Sequence, residues 1–186
     1  LFHVFAVSRR HLPLLANKQR KTIEVFMLVI LSNIPLWVMP LLALLVWLGL
    51  RATRDRETSV WPFYGLPLLG INPLITTAGL AQAELALMAF AGGYVATVVA
   101  GYALQARWIA GRDGYRVTLR GEWLSLVTFL GIFSANFVNG ALQGGWPQIA
   151  ATSAFAVGFG LALGALSGLF LGRGLRVLTW AEPIPA

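Results

Sequence analysis

The chain alternates long apolar stretches with short polar ones, and the long stretches decide its class. Five apolar segments stand out, at residues 27–50, 60–80, 84–104, 123–142 and 149–171. Each runs to about 20 residues, the length an α-helix needs to cross a hydrocarbon core about 30 Å thick. None shows the strict alternation of membrane-barrel strands. Irregular backbone exposed to lipid would leave its amides unpaired. The pattern predicts an all-α, polytopic membrane protein, a bundle of five transmembrane helices over residues 27–178. An N-terminal extension (1–26) precedes it and a short cytoplasmic tail (179–186) follows.

Local signals refine these segments. Asn33 is placed to cap the first helix, with Pro35 tolerated in its first turn. Pro40 falls deeper and predicts a kink. "GINPL" (70–74) puts Pro73 inside the second segment, predicting a bend and a freed carbonyl. "QGGWPQ" (143–148) reads as a tight turn between the fourth and fifth helices. In "GRDGYRVTLRGEW" (111–123), Asp113-Gly114 is a turn pair and "YRVTLR" alternates like a short strand or hairpin. Trp37, Trp47, Trp61, Trp108, Trp123, Trp146 and Trp180 all lie near predicted span ends, where indole rings favour the headgroup region.

Composition agrees with the pattern. The chain is 58% hydrophobic and only 11% charged, with a mean hydropathy of +0.73, whereas soluble domains are about a quarter charged. Cysteine is absent, which removes disulfides, thiol relays and thiolate metal sites. The two histidines, His3 and His11, precede the first apolar segment, so no imidazole is available within the spans. No cofactor or metal is expected. No phosphate-binding loop, dinucleotide fingerprint, zincin motif or nucleophile elbow occurs.

A net charge of +7 invites a nucleic-acid reading, but the placement of the basic residues argues otherwise. Arg51, Arg54, Arg56, Arg107, Arg112, Arg116, Arg120, Arg173 and Arg176 all fall on one side of a five-span chain, while the opposite loops near Ala81 and Gly145 hold none. Basic residues accumulate in cytoplasmic loops, which predicts N-out/C-in and no nucleic-acid partner. Residues 1–26 disagree, placing Arg9, Arg10, Lys18, Arg20 and Lys21 outside. Either that segment is genuine and outvoted nine to five, or translation starts at Met27 and the segment is upstream sequence. The second reading is the expectation; it leaves nine basic and six acidic residues.

Few side chains in the spans carry chemistry. Asn136 and Asn139 share a face of the fourth helix and Asn72 lies in the second. They read as the wall of a polar cavity or, more simply, as interhelical hydrogen-bond glue. Glu84 is a candidate ion site, but its place at a helix start suits a boundary carboxylate facing the dipole. The loop arginines read as topology determinants able to meet lipid headgroups. Gly160, Gly164, Gly168 and Gly172 recur every fourth residue and form one slowly drifting helical stripe. A phosphate loop would need a preceding strand and a following Lys-Ser/Thr. The stripe instead predicts close helix packing, with Gly93, Thr97 and Gly101 of the third helix as its mate or with a second copy.

Three stretches carry a family likeness: "ILSNIPLWVMPLLALLVWLGLRATRDR" (30–56), "GEWLSLVTFLGIF" (121–133) and "GALSGLFLGRGLR" (164–176). In their order and spacing they resemble an uncharacterised family of small multi-span bacterial inner-membrane proteins, a domain of unknown function, over about residues 27–178. Where that family would read a "PGSW"-like turn, this chain has Arg120-Gly121-Glu122-Trp123. The resemblance implies a multi-pass location in the bacterial inner (cytoplasmic) membrane and supplies no activity. The expectation is a non-enzymatic accessory, assembly or structural component that meets the lipid bilayer and a homo-oligomeric or membrane-protein partner. The alternative is a small transporter or channel-like protein with a polar site near Asn72 and Asn136/Asn139.

Overall fold

The computed structural model describes residue 36, residues 38–65 and residues 70–180. The chain divides into two compact units, residues 1–40 and 41–186. Of the first, the described residues are Leu36 and the opening turn of helix α1 (Val38–Ala52). The expectations for residues 1–26, Asn33, Pro35, Trp37 and the end of the tail fall outside the described residues. All packing below lies within the second unit.

After α1 come strand β1 (Arg56–Ser59), the short helices α2 (Trp61–Tyr64) and α3 (Ile71–Ala78), and the long helix α4 (Ala83–Gln105). A 3-10 turn (Ala106–Trp108) leads into strands β2 (Ile109–Asp113) and β3 (Arg116–Leu119), then helix α5 (Leu124–Gly145), the short α6 (Pro147–Ala150) and helix α7 (Ser153–Thr179). The protein is thus mainly helical, and α4 (with its 3-10 extension), α5 and α7 are long and apolar enough to cross a membrane, with mean hydropathies of 1.6, 1.5 and 2.0.

The parallel pair α4 and α7 forms the centre. A Cβ added at Gly160, Gly164, Gly168 or Gly172 would overlap the carbonyl oxygen of Ala86, Phe90, Tyr94 or Val98 respectively. Both series climb by four, so the two helices run the same way and touch backbone to backbone. From the other side, Gly93 faces Leu161 and Ala165, and Gly101 faces Leu169. The Thr97 hydroxyl lies 2.7 Å from the Ala165 carbonyl oxygen across the seam and 2.8 Å from that of Gly93 in its own helix. α5 returns antiparallel, with Gly131 against Leu166 and Phe129 against Phe170. Near the start of α4 and α7, Leu80, Ala86, Phe90, Ala156, Phe159 and Leu163 form a buried cluster, and Gln82 Nε2 donates to the Ala151 carbonyl at 3.0 Å.

The opposite end carries a small antiparallel sheet of order β1-β3-β2. The expected hairpin forms, turning at Gly114 with φ 54°, a left-handed conformation that suits glycine. β1 was not foreseen. It comes from "RETS", read as loop, and pairs Arg56 with Leu119 through Ser59 with Arg116. Val60, Ile109, Val117, Leu119 and Val177 bury a second cluster beneath the sheet.

Several expectations need correction. The second segment is no single helix in its described parts. Val60 is drawn into the sheet's core, Pro62 opens α2, and α3 has eight residues; residues 66–69 lie outside the described residues. Pro40 and Pro73 occupy the first turns of α1 and α3. At Pro73 a missing N–H removes no helical bond, because α3 begins after Gly70. The break after α5 falls at Trp146, with Pro147 opening α6. The last helix does not stop at Leu171 but continues to Thr179, which makes Arg173 and Arg176 helix residues.

Candidate functional site

α5 begins with a carboxylate at its head. Glu122 Oε2 accepts the Ser125 N–H at 2.9 Å and Oε1 accepts the Ser125 hydroxyl at 2.5 Å. A carboxylate here satisfies an orphan amide and faces the positive end of the helix dipole. The preceding turn is fixed against the end of α1: the Glu122 N–H reaches the Ala52 carbonyl at 2.9 Å, and Asp55 Oδ1 accepts the Gly121 N–H at 2.7 Å. A side chain at Gly121 would overlap the Thr53 carbonyl, so glycine is required at that approach.

Arg173 of α7 reaches the same point. Its Nη2 donates to Glu122 Oε1 at 2.5 Å and to Ser125 Oγ at 3.2 Å, and its Nε donates to Gln105 Oε1 at 2.7 Å. Its guanidinium carbon lies 5.8 Å from the Trp108 ring centroid. Arg173 is 8% exposed and Glu122 6%. An ion pair buried this deeply needs further hydrogen bonds to offset desolvation, and Gln105 and Ser125 supply them. Arg173 Nη1 is buried without a hydrogen-bond partner among the described residues.

A cavity of about 370 Å³ opens beside this pair, bounded by the ends of α1, α4 and α7, the start of α5, and the strands. Arg51, Arg56, Arg120 and Arg173 line it together with Glu57 and Glu122, and Leu48, Phe63, Phe129 and Phe170 give it an apolar wall. Burial, foremost, holds the half-buried Arg56 below the ordinary arginine value; Glu122 opposes the shift, and Arg51 and Arg173 add to it. Arg51 and Arg173 therefore lie near enough to Arg56 to act on its charge. Arginine stays protonated throughout, so the cavity is cationic. It can hold an anion that offers several oxygen acceptors.

The remaining arginines have separate tasks. Arg112 Nη1 donates to the carbonyls of Leu178 at 3.0 Å and Trp180 at 3.2 Å, capping the negative end of α7. Arg116 pairs with Glu57 at 3.8 Å on the exposed sheet, a contact worth little by itself. Arg176 stacks over Tyr102 at 4.9 Å, and Arg51 of the cavity lining also stacks over Trp47 at 5.6 Å. Arg54 and Arg107 are exposed.

The polar candidates of the spans do not gather into this site. Asn136 Nδ2 donates to the Ile132 carbonyl at 2.8 Å, and Asn139 Oδ1 accepts from Gln143 Nε2 at 3.0 Å. Both bonds stay within α5. Asn72 is exposed in the first turn of α3 and Glu84 in that of α4. Sequence reasoning missed Glu122, Gln105 and Ser125 as a group and took Arg173 for a headgroup anchor. One signal was available: Arg173 stands between Gly172 and Gly174, and the apolar Val177 follows it one turn later on the same helix face.

Fold and site together define a helical protein fitted to a membrane, with a charged cluster where its long helices meet a small sheet. Comparison with family models, curated proteins and solved structures finds no match.

Proposed function

We propose that the chain is a five-pass integral protein of the bacterial inner membrane, N-out/C-in, acting without catalysis as an accessory or assembly component. The carrying observation is the uncovered apolar surface of the long helices. Val95 and Val99 of α4 are 68% and 71% exposed, Met88 58% and Val127 of α5 58%. Contiguous apolar faces of this kind require lipid or a protein partner. The orientation is supported by the nine arginines from Arg51 to Arg176, which accompany the sheet and the helix ends beside it. The loops about Gln82 and Ala151 carry none. Val60 lies beneath the sheet and Leu80 in the far cluster, which supports a further return between the two sides. The likeness to an uncharacterised inner-membrane family supports the location.

Extraction of the full chain from native membranes in mild detergent, followed by size-exclusion chromatography with mass determination, tests the role. A homo-oligomer or a stoichiometric complex with another membrane protein is expected. A chain that elutes solely as a monomer without a stoichiometric companion contradicts it.

A further inference from the structure

We propose that the cavity between the sheet and the ends of α1, α4, α5 and α7 is a binding site for a phosphate group, held by Arg56, Arg120 and Arg173. Three observations converge. First, Arg173 lines the cavity and its buried Nη1 has no hydrogen-bond partner among the described residues, whereas buried donors are nearly always paired. Second, the cationic charge exceeds what the cavity's carboxylates neutralise. Glu122 is paired with Arg173 and Glu57 faces Arg116, which leaves Arg51, Arg56 and Arg120 with no carboxylate oxygen within 4 Å among the described residues, although Glu122 is near enough to act on Arg56. Third, the volume of about 370 Å³ lies within the range of small-molecule sites.

Guanidinium groups match phosphate oxygens in a planar, two-pronged geometry, and several converging on one anion suit a group with three accessible oxygens better than a carboxylate with two. The phosphate can come from a lipid headgroup or from solution. Leu48, Phe63, Phe129 and Phe170 on the same wall provide an apolar surface for the chain of a lipid. The site stands apart from the accessory role proposed above. Loss of phosphate binding would leave topology and assembly untouched, and a solitary monomer could still bind.

The test uses the full chain in dodecylmaltoside, with tryptophan fluorescence and thermal unfolding as readouts, since Trp108 adjoins Arg173. The probes are dioctanoyl phosphatidic acid, dioctanoyl phosphatidylcholine and inorganic phosphate. Phosphatidic acid, a monoester with three free phosphate oxygens, should bind saturably and raise the unfolding temperature; phosphatidylcholine of equal chain length, a diester with two and a neutralising ammonium, should not. R56Q/R120Q should weaken binding at least about tenfold, the consequence of losing charge-assisted hydrogen bonds. R54Q/R107Q removes the same charge from exposed residues outside the cavity and should bind as the parent does. Competition by millimolar inorganic phosphate assigns the site to phosphate in general; phosphatidic acid binding without it assigns the site to lipid. Equal binding of both lipids, full binding by R56Q/R120Q, or equal loss in the two double variants would overturn the proposal.

Discussion

Arg173 is enclosed by groups from two other parts of the chain, with Gln105 on α4 and Glu122 and Ser125 at the head of α5. Removing one member of a buried ion pair leaves the other charged and desolvated, at a cost of about 3–5 kcal/mol. Glu122→Ala should therefore lower stability by about that amount, measured by unfolding in mixed detergent micelles, and Arg173→Met should do much the same. The double variant should lose clearly less than the two losses added together, because a cavity without either charge has no unpaired ion. Strict additivity would show that the two residues act independently. Composition and hydropathy could not announce this pair. Its members are 51 residues apart, and an arginine just past an apolar segment has the same local signature whether it meets headgroups or folds inward. Gly172 beside Arg173 was the local sign, because it extends the row pressed against α4.

At the scale of elements, the seam between α4 and α7 rests on the absence of side chains. A Cβ at Gly164 would overlap the Phe90 carbonyl, a backbone atom that cannot swing aside. Overpacking a tight contact costs about 1–3 kcal/mol. Gly164→Leu should reach or exceed this range and disturb the helix pair, read by thermal unfolding and detergent-resistant folding. Gly92 and Gly158 meet nothing within 4 Å, so Gly92→Ala and Gly158→Ala should be neutral or stabilising by about 0.5–1 kcal/mol through helix propensity. Equal losses at all three positions would contradict a localised seam. The long helices were legible because segments of about 20 apolar residues have few alternatives. The β2–β3 hairpin was legible because alternation and an Asp-Gly turn are local. β1 was not, since four residues of "RETS" become a strand only by pairing with β3, far along the chain. The second segment misled for a related reason: hydropathy registers its apolar residues, but Val60 belongs to the sheet's core and two prolines act as helix starts.

For the whole molecule, chain direction and charge agree. α4 and α7 run parallel with α5 between them in sequence, so the sheet and the C-terminal helix end share one side, and the arginines lie there. The far side is marked by the contact of Gln82 with the Ala151 carbonyl. A membrane crossed in this sense puts Asp113, in the hairpin, on one surface and Gln148, in α6, on the other. Because the chain has no cysteine, single substitutions give a background-free assay of this arrangement. Intact cells producing Asp113→Cys or Gln148→Cys can be treated with a membrane-impermeant maleimide, with lysed cells as the reference. Gln148→Cys should be labelled in intact cells, and Asp113→Cys only after lysis. Labelling of Asp113→Cys in intact cells, or of both positions alike, would contradict an arginine-rich cytoplasmic face and the membrane arrangement built on it.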